Sequence, residues 1–234
     1  MFKKLLILSI LIHLIALFAF AYLVNSLGGI SYMLFKMKHR GVTGVYQHRV
    51  QLFENMKLNN TDIVFLGNSI TEQGAWTELL ENPKVKNRGI AGDMTEGILE
   101  RLHTITDAQP AQIFLMIGVN DLISYRPKQI ALNYRKIVRR IQEESPNSKL
   151  IVQSILPVNN QVKNTGIANE DIKALNSSIQ KIASEFGIQY LDLQKLFKDE
   201  QGNLKEEFTY DGIHINGTAY LLWKDTLKEW LLDE

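Results

Sequence analysis

Short apolar runs recur along the chain from residue 62 onward. Four of them are rich in β-branched residues and too short for helices; they read DIVFL (62–66), QIFLMI (112–117), KLIVQSIL (149–156) and IQYLDL (188–193). A weaker run, VKN (85–87), lies between the first two. Continuous apolar runs of this length predict strands that are buried on both faces of a parallel sheet.

Between these strands, apolar residues keep helical spacing. The two clearest patterns are Ile130, Tyr134, Ile137, Val138 and Ile141, and then Ile172, Leu175, Ile179, Ile182 and Phe186. A closing helix is predicted over residues 218–232 and a short one over residues 46–56. Strands that alternate with helices predict right-handed βαβ units, and therefore an α/β fold whose mainly parallel sheet is covered on both faces.

The first 24 residues follow a different pattern. Residues 5–24 are apolar apart from Ser9 and His13, and two lysines precede them. Because about 20 apolar residues in a helix span the apolar core of a bilayer, we expect a membrane anchor, with the rest of the chain outside the cytoplasm in the periplasm or at the cell surface. The alternative is a signal peptide cleaved after Ala19–Ala21, which would give a secreted protein.

The predicted organisation has three parts. They are an anchor or signal peptide at residues 1–24, a connector at residues 25–60 that mixes glycines with basic residues, and one globular domain at residues 61–234. The chain of 234 residues is 45% hydrophobic and 22% charged, which suits a single domain with a sizeable core.

Charge and cysteine content exclude several functions. The formal net charge of +1 gives no electrostatic reason to expect nucleic acid as a partner. The absence of cysteine removes disulfides, thiolate metal sites and a cysteine nucleophile. No phosphate-binding loop, GxGxxG motif or cluster of metal ligands follows any predicted strand, so we expect neither cofactor nor metal.

Candidate chemistry lies where ligands bind in parallel sheets, beyond the carboxyl ends of the strands. Ser69 follows the first strand in GNSITEQG, Gly92 lies in NRGIAGD, Asn120 lies in GVND, and Asp211 precedes His214 by three residues in YDGIHINGTAY. Each segment alone has an ordinary structural explanation. The sequence from Ser69 matches a helix capping box, and glycines are common in turns. Together they supply a hydroxyl, two oxyanion donors, and an acid with a base, which is the set that acyl transfer by a serine requires.

These four segments resemble the four blocks of the SGNH hydrolases, also called GDSL-like esterases and lipases. The blocks supply serine, glycine, asparagine and histidine in that order, as this chain does from about residue 62 to its end. One departure is Asn68, where the family pattern often has aspartate. The resemblance implies a flavodoxin-like three-layer α/β/α sandwich with a five-stranded parallel sheet.

The same resemblance implies residue roles. Ser69 is expected as nucleophile, His214 as general base and Asp211 as the group that orients the histidine. The N–H groups of Ser69 and Gly92 and the side-chain amide of Asn120 are expected to form the oxyanion hole.

The segments VFLGNSIT, NRGIAGD and IFLMIGVNDL look like those of bacterial carbohydrate O-acetylesterases, including sialate O-acetylesterases, and of platelet-activating-factor acetylhydrolase catalytic subunits. We therefore expect a serine esterase that removes small O-acyl groups from a glycan or other small ester. A lysophospholipase or thioesterase is one alternative. A membrane-tethered O-acyltransferase and a non-catalytic glycan-binding module are alternatives of other classes. The sequence leaves the acylated substrate and the oligomeric state open.

Overall fold

The computed structural model describes residues 2–26 and 44–231. Helix α1 (Phe2–Ser26) belongs to one compact unit, and the chain from Gly44 onward forms another. Most of the predicted connector, residues 27–43, lies outside the described residues.

The apolar run at residues 5–24 is helical, as expected, but the predicted membrane anchor is wrong. Crossing a bilayer takes about 20 consecutive, mostly apolar residues in one helix. Among residues 2–26 and 44–231, no helix combines the length and the apolarity needed to cross a membrane. The membrane partner assigned to residues 5–24 and the membrane-anchored location are corrected accordingly.

The unit from Gly44 onward is built on one five-stranded sheet in which every pairing is parallel. The strand order is β2-β1-β3-β4-β5. This is the flavodoxin-like order, so the predicted fold class is confirmed. The strands are β1 (Ile63–Gly67), β2 (Val85–Gly89), β3 (Gln112–Met116), β4 (Lys149–Gln153) and β5 (Gln189–Leu191).

Helices cover both faces of this sheet and make the sandwich three-layered. In chain order they are α2 (Gly44–Asn55), α3 (Ser69–Glu72), α4 (Trp76–Leu79), α5 (Thr95–Arg101), α6 (His103–Thr106), α7 (Pro127–Glu144), α8 (Asn169–Glu185), α9 (Gln194–Phe197) and α10 (Gly217–Leu227). Short 3-10 turns occur at Asp121–Ile123 and Glu206–Phe208. The long helices α7 and α8 coincide with the two clearest helical patterns in the sequence.

Strands β1 and β3 are buried on both faces, which explains their continuous apolar sequence. Phe65 of β1 stacks on Phe114 of β3 at 4.8 Å between ring centroids, and on Trp76 at 4.4 Å. Trp223 of α10 meets Trp76 edge-on at 4.7 Å. These rings join the centre of the sheet to the segment just after α3 and to the last helix.

The strand order creates a switch point between β1 and β3. The chain leaves β1 toward β2 on one side and later returns to β3 on the other, so the loops after β1 and β3 diverge. In open α/β sheets the ligand crevice forms where this happens, beyond the carboxyl ends of the strands. The segments that carry Ser69, Gly92 and Asn120 follow β1, β2 and β3, which are neighbours in the sheet.

Candidate active site

Ser69 is the first residue of α3, and only Asn68 separates it from the end of β1. The helix is capped by the preceding residue, because the side-chain oxygen of Asn68 accepts a hydrogen bond from the Ile70 N–H at 3.0 Å. The capping-box interpretation of Ser69 is therefore wrong. With the cap supplied by Asn68, the Ser69 hydroxyl is left for another partner.

Close backbone packing fixes the position of α3. A Cβ atom on Gly89 of β2 would lie 2.2 Å from the Glu72 nitrogen, so only glycine lets the helix approach the strand this closely. The side-chain amide of Asn87 donates to the carbonyl oxygens of Thr71, Glu72 and Gly74, at 3.0, 2.9 and 2.9 Å. Both contacts hold the helix that begins with Ser69 against the edge of the sheet.

The loop before α10 brings Asp211 and His214 to Ser69. Nδ1 of His214 lies 2.7 Å from Oδ2 of Asp211, and Nε2 of His214 lies 2.9 Å from Oγ of Ser69. The other carboxylate oxygen of Asp211 accepts the N–H groups of Ile213 and His214 at 3.1 and 2.8 Å. Gly212 supplies the left-handed conformation that this turn needs, with φ of 84°. The structure thus joins the three predicted residues in one chain of hydrogen bonds.

The pKa of Asp211 reflects these contacts. Burial acts to raise it, but hydrogen bonds from the His214 side chain and from the His214 and Ile213 N–H groups outweigh burial, and the pKa lies below its usual value. The carboxylate is therefore ionised at neutral pH. A carboxylate in this position holds the imidazole with Nδ1 protonated, which leaves Nε2 able to accept a proton from serine.

Gly92 and Asn120 lie in the loops that follow β2 and β3. Gly92 has a φ of 77°, a conformation that favours glycine. In the described part of the chain, neither its N–H nor that of Ser69 donates to a protein acceptor. Nδ2 of Asn120 donates to the carbonyl oxygen of Asp93 at 2.8 Å, and a side-chain amide nitrogen carries a second hydrogen that can bind substrate.

Sequence analysis missed a buried ion pair behind these donors. Nε of Arg101 lies 2.9 Å from Oδ2 of Asp93, and both side chains are fully buried. Nη2 of Arg101 also donates to the carbonyl oxygens of Gly67 at 3.1 Å and Arg88 at 2.9 Å. One guanidinium therefore ties together the ends of β1 and β2 and the loop that contains Gly92. Burial acts to raise the pKa of Asp93, to about 6, although Arg101 acts in the opposite direction.

A second buried carboxylate, Asp121, was also missed. Its oxygens accept the N–H of Thr95 at 3.1 Å and the Thr95 hydroxyl at 2.5 Å. Burial raises the pKa of Asp121 to about 7, although the bonds from Thr95 act to lower it. Asp121 thus joins the loop after β3 to the first residue of α5. The bond from Asn120 to Asp93 is a second link between the loop after β3 and the loop after β2.

One sequence signal could have revealed Arg101. It occupies a position on the apolar face of its segment, between Ile98 on one side and Leu102 and Ile105 on the other, and all four residues are buried. A charged residue at such a position has to be paired. For Asp121 the sequence offers no comparable signal, because polar residues are ordinary in the turn that follows a strand.

The site has no grouping suited to a metal ion. Among the described residues, no three histidine, aspartate or glutamate side chains come close enough to bind one. The arrangement of Ser69, His214 and Asp211, beside several N–H donors, suits acyl transfer by a serine.

Several solved structures resemble this chain. A structure from Streptococcus pneumoniae described as a platelet activating factor aligns with a TM-score of 0.73 at 27% identity, covering 87% of this chain and 99% of that one. A GDSL-like lipase from Bacteroides thetaiotaomicron aligns with a TM-score of 0.67 at 20% identity, covering 79% and 96%. Both alignments show that this chain shares the α/β fold of those proteins.

Sequence relatives are similarly distant. The alpha2 subunit of platelet-activating factor acetylhydrolase IB from Gallus gallus is 26% identical over 181 residues, which are 74% of this chain and 77% of that protein. The N-acylneuraminate cytidylyltransferase of Escherichia coli O18:K1:H7 is 27% identical over 202 residues, or 82% of this chain. The chain spans only 46% of the length of that enzyme.

The profile of the GDSL-like Lipase/Acylhydrolase family matches residues 65–222. The chain therefore belongs to this family, as the resemblance to SGNH hydrolases predicted.

Proposed function

We propose that this protein is a serine esterase that removes small O-acyl groups, in the first place O-acetyl groups, from carbohydrates. The observation that carries the proposal is the hydrogen-bond chain from Ser69 Oγ through His214 to Asp211, with distances of 2.9 and 2.7 Å. It lies at the switch point of the sheet, where α/β proteins bind ligands.

In the proposed reaction, Ser69 Oγ attacks the carbonyl carbon of the ester while Nε2 of His214 takes the hydroxyl proton. Asp211 stabilises the imidazolium that forms. The negative charge that develops on the carbonyl oxygen is stabilised by the N–H groups of Ser69 and Gly92 and by the Asn120 amide. His214 then gives its proton to the leaving alcohol, which departs from an acyl-enzyme ester on Ser69.

The second half of the reaction repeats these steps with water in place of the serine hydroxyl. His214 takes a proton from water, the resulting hydroxide attacks the acyl-enzyme, and Ser69 recovers its proton as the acid leaves. Every proton passes through Nε2 of His214. The proposed mechanism needs no cofactor or metal.

The substrate assignment rests on two relatives. The name of one includes an acetylhydrolase, which supports a small acyl group. The name of the other includes N-acylneuraminate, a sugar acid, which supports a carbohydrate as the alcohol.

An acetate-release assay of the full-length protein tests this function. Released acetate is measured with O-acetylated N-acylneuraminate and platelet-activating factor as substrates, and released fatty acid with a lysophospholipid. Each substrate is also assayed with Ser69→Ala as the matched control. We expect acetate from the sugar ester, and none from the variant. Release from the lipids alone would reject a carbohydrate substrate, and equal release by Ser69→Ala would reject the serine mechanism. Acetyl transfer to an added sugar would identify a transferase instead.

A further inference from the structure

Tyr210 is an exposed aromatic residue directly beside the proposed base. It precedes Asp211, and 60% of its surface is exposed. Its ring is nearly parallel to the imidazole of His214, with an angle of 12° between the planes and 5.9 Å between the centroids. None of the proposed chemical steps uses it.

The ring is held in place from both sides of the site. The Tyr210 hydroxyl donates to Oε1 of Gln73 at 3.1 Å, and Gln73 is the residue that ends the helix begun by Ser69. Tyr210 therefore bridges the loop of the proposed base and the helix of the proposed nucleophile. A side chain restrained in this way loses little conformational freedom when a ligand covers it.

The chemistry of ester cleavage determines which part of a substrate meets this ring. For His214 to protonate the leaving alcohol, the alcohol oxygen has to come within hydrogen-bond distance of Nε2. The alcohol part of the ester must therefore lie beside the imidazole, whereas the carbonyl oxygen points to Gly92 and Asn120. Tyr210 presents an exposed aromatic ring beside this imidazole, where the alcohol would lie.

We propose that Tyr210 is a specificity-determining residue, on whose face the alcohol part of the ester rests, and that this alcohol is a pyranose ring. This inference rests on the proposed function and deepens it. One face of a pyranose presents C–H groups, which suit the electron-rich face of an aromatic ring. Its rim presents hydroxyl groups, which suit the exposed Gln73 amide beside Tyr210. An alkyl chain would need a continuous apolar groove instead of a single ring with polar neighbours.

A comparison of two acetate esters tests the proposal. Methyl 6-O-acetyl-glucopyranoside and ethyl acetate form the same acetyl-enzyme, so kcat/KM differs between them only through the alcohol. We expect Tyr210→Ala to lower the ratio of the two kcat/KM values, sugar over ethyl, about tenfold. Tyr210→Phe keeps the ring and should hold the ratio within about threefold. Leu221→Ala, which removes an exposed apolar side chain from α10, is the matched control.

Three kinetic outcomes would overturn the proposal. An equal loss on both esters would mean that Tyr210 acts by orienting His214 rather than by contacting the alcohol. Unchanged kcat/KM values on both esters in Tyr210→Ala would mean that the ring takes no part in the reaction or its specificity. A greater loss on 1-alkyl-2-acetyl-glycerophosphocholine than on the sugar ester would replace the pyranose with a lipid alcohol.

Binding to an inactive protein separates this inference from the proposed function. Calorimetric titration with the acetylated pyranoside compares Ser69→Ala with Ser69→Ala/Tyr210→Ala. We expect Kd to rise about tenfold when Tyr210 is removed, whether or not Ser69 is the nucleophile. Equal affinity of the two variants would reject the role of Tyr210 and leave the serine mechanism standing.

Discussion

Nε2 of His214 lies 2.9 Å from Oγ of Ser69, although the two residues are 145 positions apart in the sequence. If they form one catalytic unit, removing either should stop the reaction. We expect Ser69→Ala and His214→Ala each to lower kcat by about 10,000-fold or more, and the double variant to lose little beyond that. Hydrolysis of p-nitrophenyl acetate measures this. Losses that multiply in the double variant would argue that the residues act independently.

Asn120 should contribute to the transition state more than to substrate binding. Loss of one oxyanion donor typically costs about 100- to 1,000-fold in kcat. We therefore expect Asn120→Ala to lower kcat in that range and to change KM little. Steady-state assays over substrate concentrations from well below KM up to saturation measure both. Asn55→Ala, at the exposed end of α2, is the matched control. A loss that appeared only in KM would contradict the oxyanion role.

The buried pair of Asp93 and Arg101 should dominate local stability. Arg101→Met would leave a buried carboxylate without its cation, which typically costs about 3–5 kcal/mol. Urea unfolding measures the loss. Arg135→Met is the comparison, since Arg135 pairs with Glu185 at the surface and its removal should cost little. If the two variants were equally stable, the ion pair would not hold the strand ends together.

Asp121 should make stability depend on pH. Burial raises its pKa to about 7, whereas the unfolded chain has the ordinary value of about 4. Between pH about 4 and about 7, the folded protein therefore keeps a proton on Asp121 that the unfolded chain has released. The contribution of Asp121 to stability is full below pH about 4 and is lost as the pH rises through about 7. We expect the free energy of unfolding of the wild type to fall between pH 5 and 8 relative to that of Asp121→Asn.

Urea unfolding of both proteins at several pH values checks this difference, with Asp225→Asn, an exposed substitution, as control. A constant difference between wild type and Asp121→Asn across the range would contradict the raised pKa.

Hydrolysis should not depend on metal ions, since the proposed steps use only protein groups. We expect EDTA to leave kcat/KM unchanged within error. The measurement is an esterase assay after dialysis against EDTA, with and without added Mg²⁺, Mn²⁺ or Zn²⁺. Inhibition by EDTA that a divalent ion reversed would refute the prediction.

The sequence predicted the two strands β1 and β3 more closely than the rest of the sheet. Strands β1 and β3 have neighbours on both sides and are covered on both faces, so they need continuous apolar residues. Strands β2 and β5 each pair with one neighbour. Accordingly β2 extends to Gly89 rather than to residue 87, and β5 covers only Gln189–Leu191 of the run predicted over residues 188–193.

Side-chain pairing could not be predicted in the same way. The roles expected for Ser69, Gly92, Asn120, Asp211 and His214 came from matching four separate segments. The structure brings the histidine within hydrogen-bond distance of both the serine and the aspartate. The cap by Asn68 was missed because both Asn68 and Ser69 are good capping residues, and only backbone geometry decides between them.

The apolar run near the N-terminus shows a different limit. Its composition predicted a helix, and a helix is present at Phe2–Ser26. The prediction of a membrane anchor depended only on the length and apolarity of this one segment. That prediction, and not the prediction of a helix, is the one that is wrong.

The loop that carries Asp211 and His214 has a consequence for the order in which activity appears during synthesis. Ser69, Gly92 and Asn120 leave the ribosome first, and the proposed base, His214, follows 94 positions after Asn120. The base then reaches the serine through a loop whose Gly212 carbonyl accepts the Asn159 N–H at 2.7 Å. A nascent or clipped chain that stops before residue 211 has the proposed nucleophile and the proposed oxyanion donors but lacks the proposed base. If His214 is the base, ester cleavage reports that the loop carrying Asp211 and His214 has folded against Ser69.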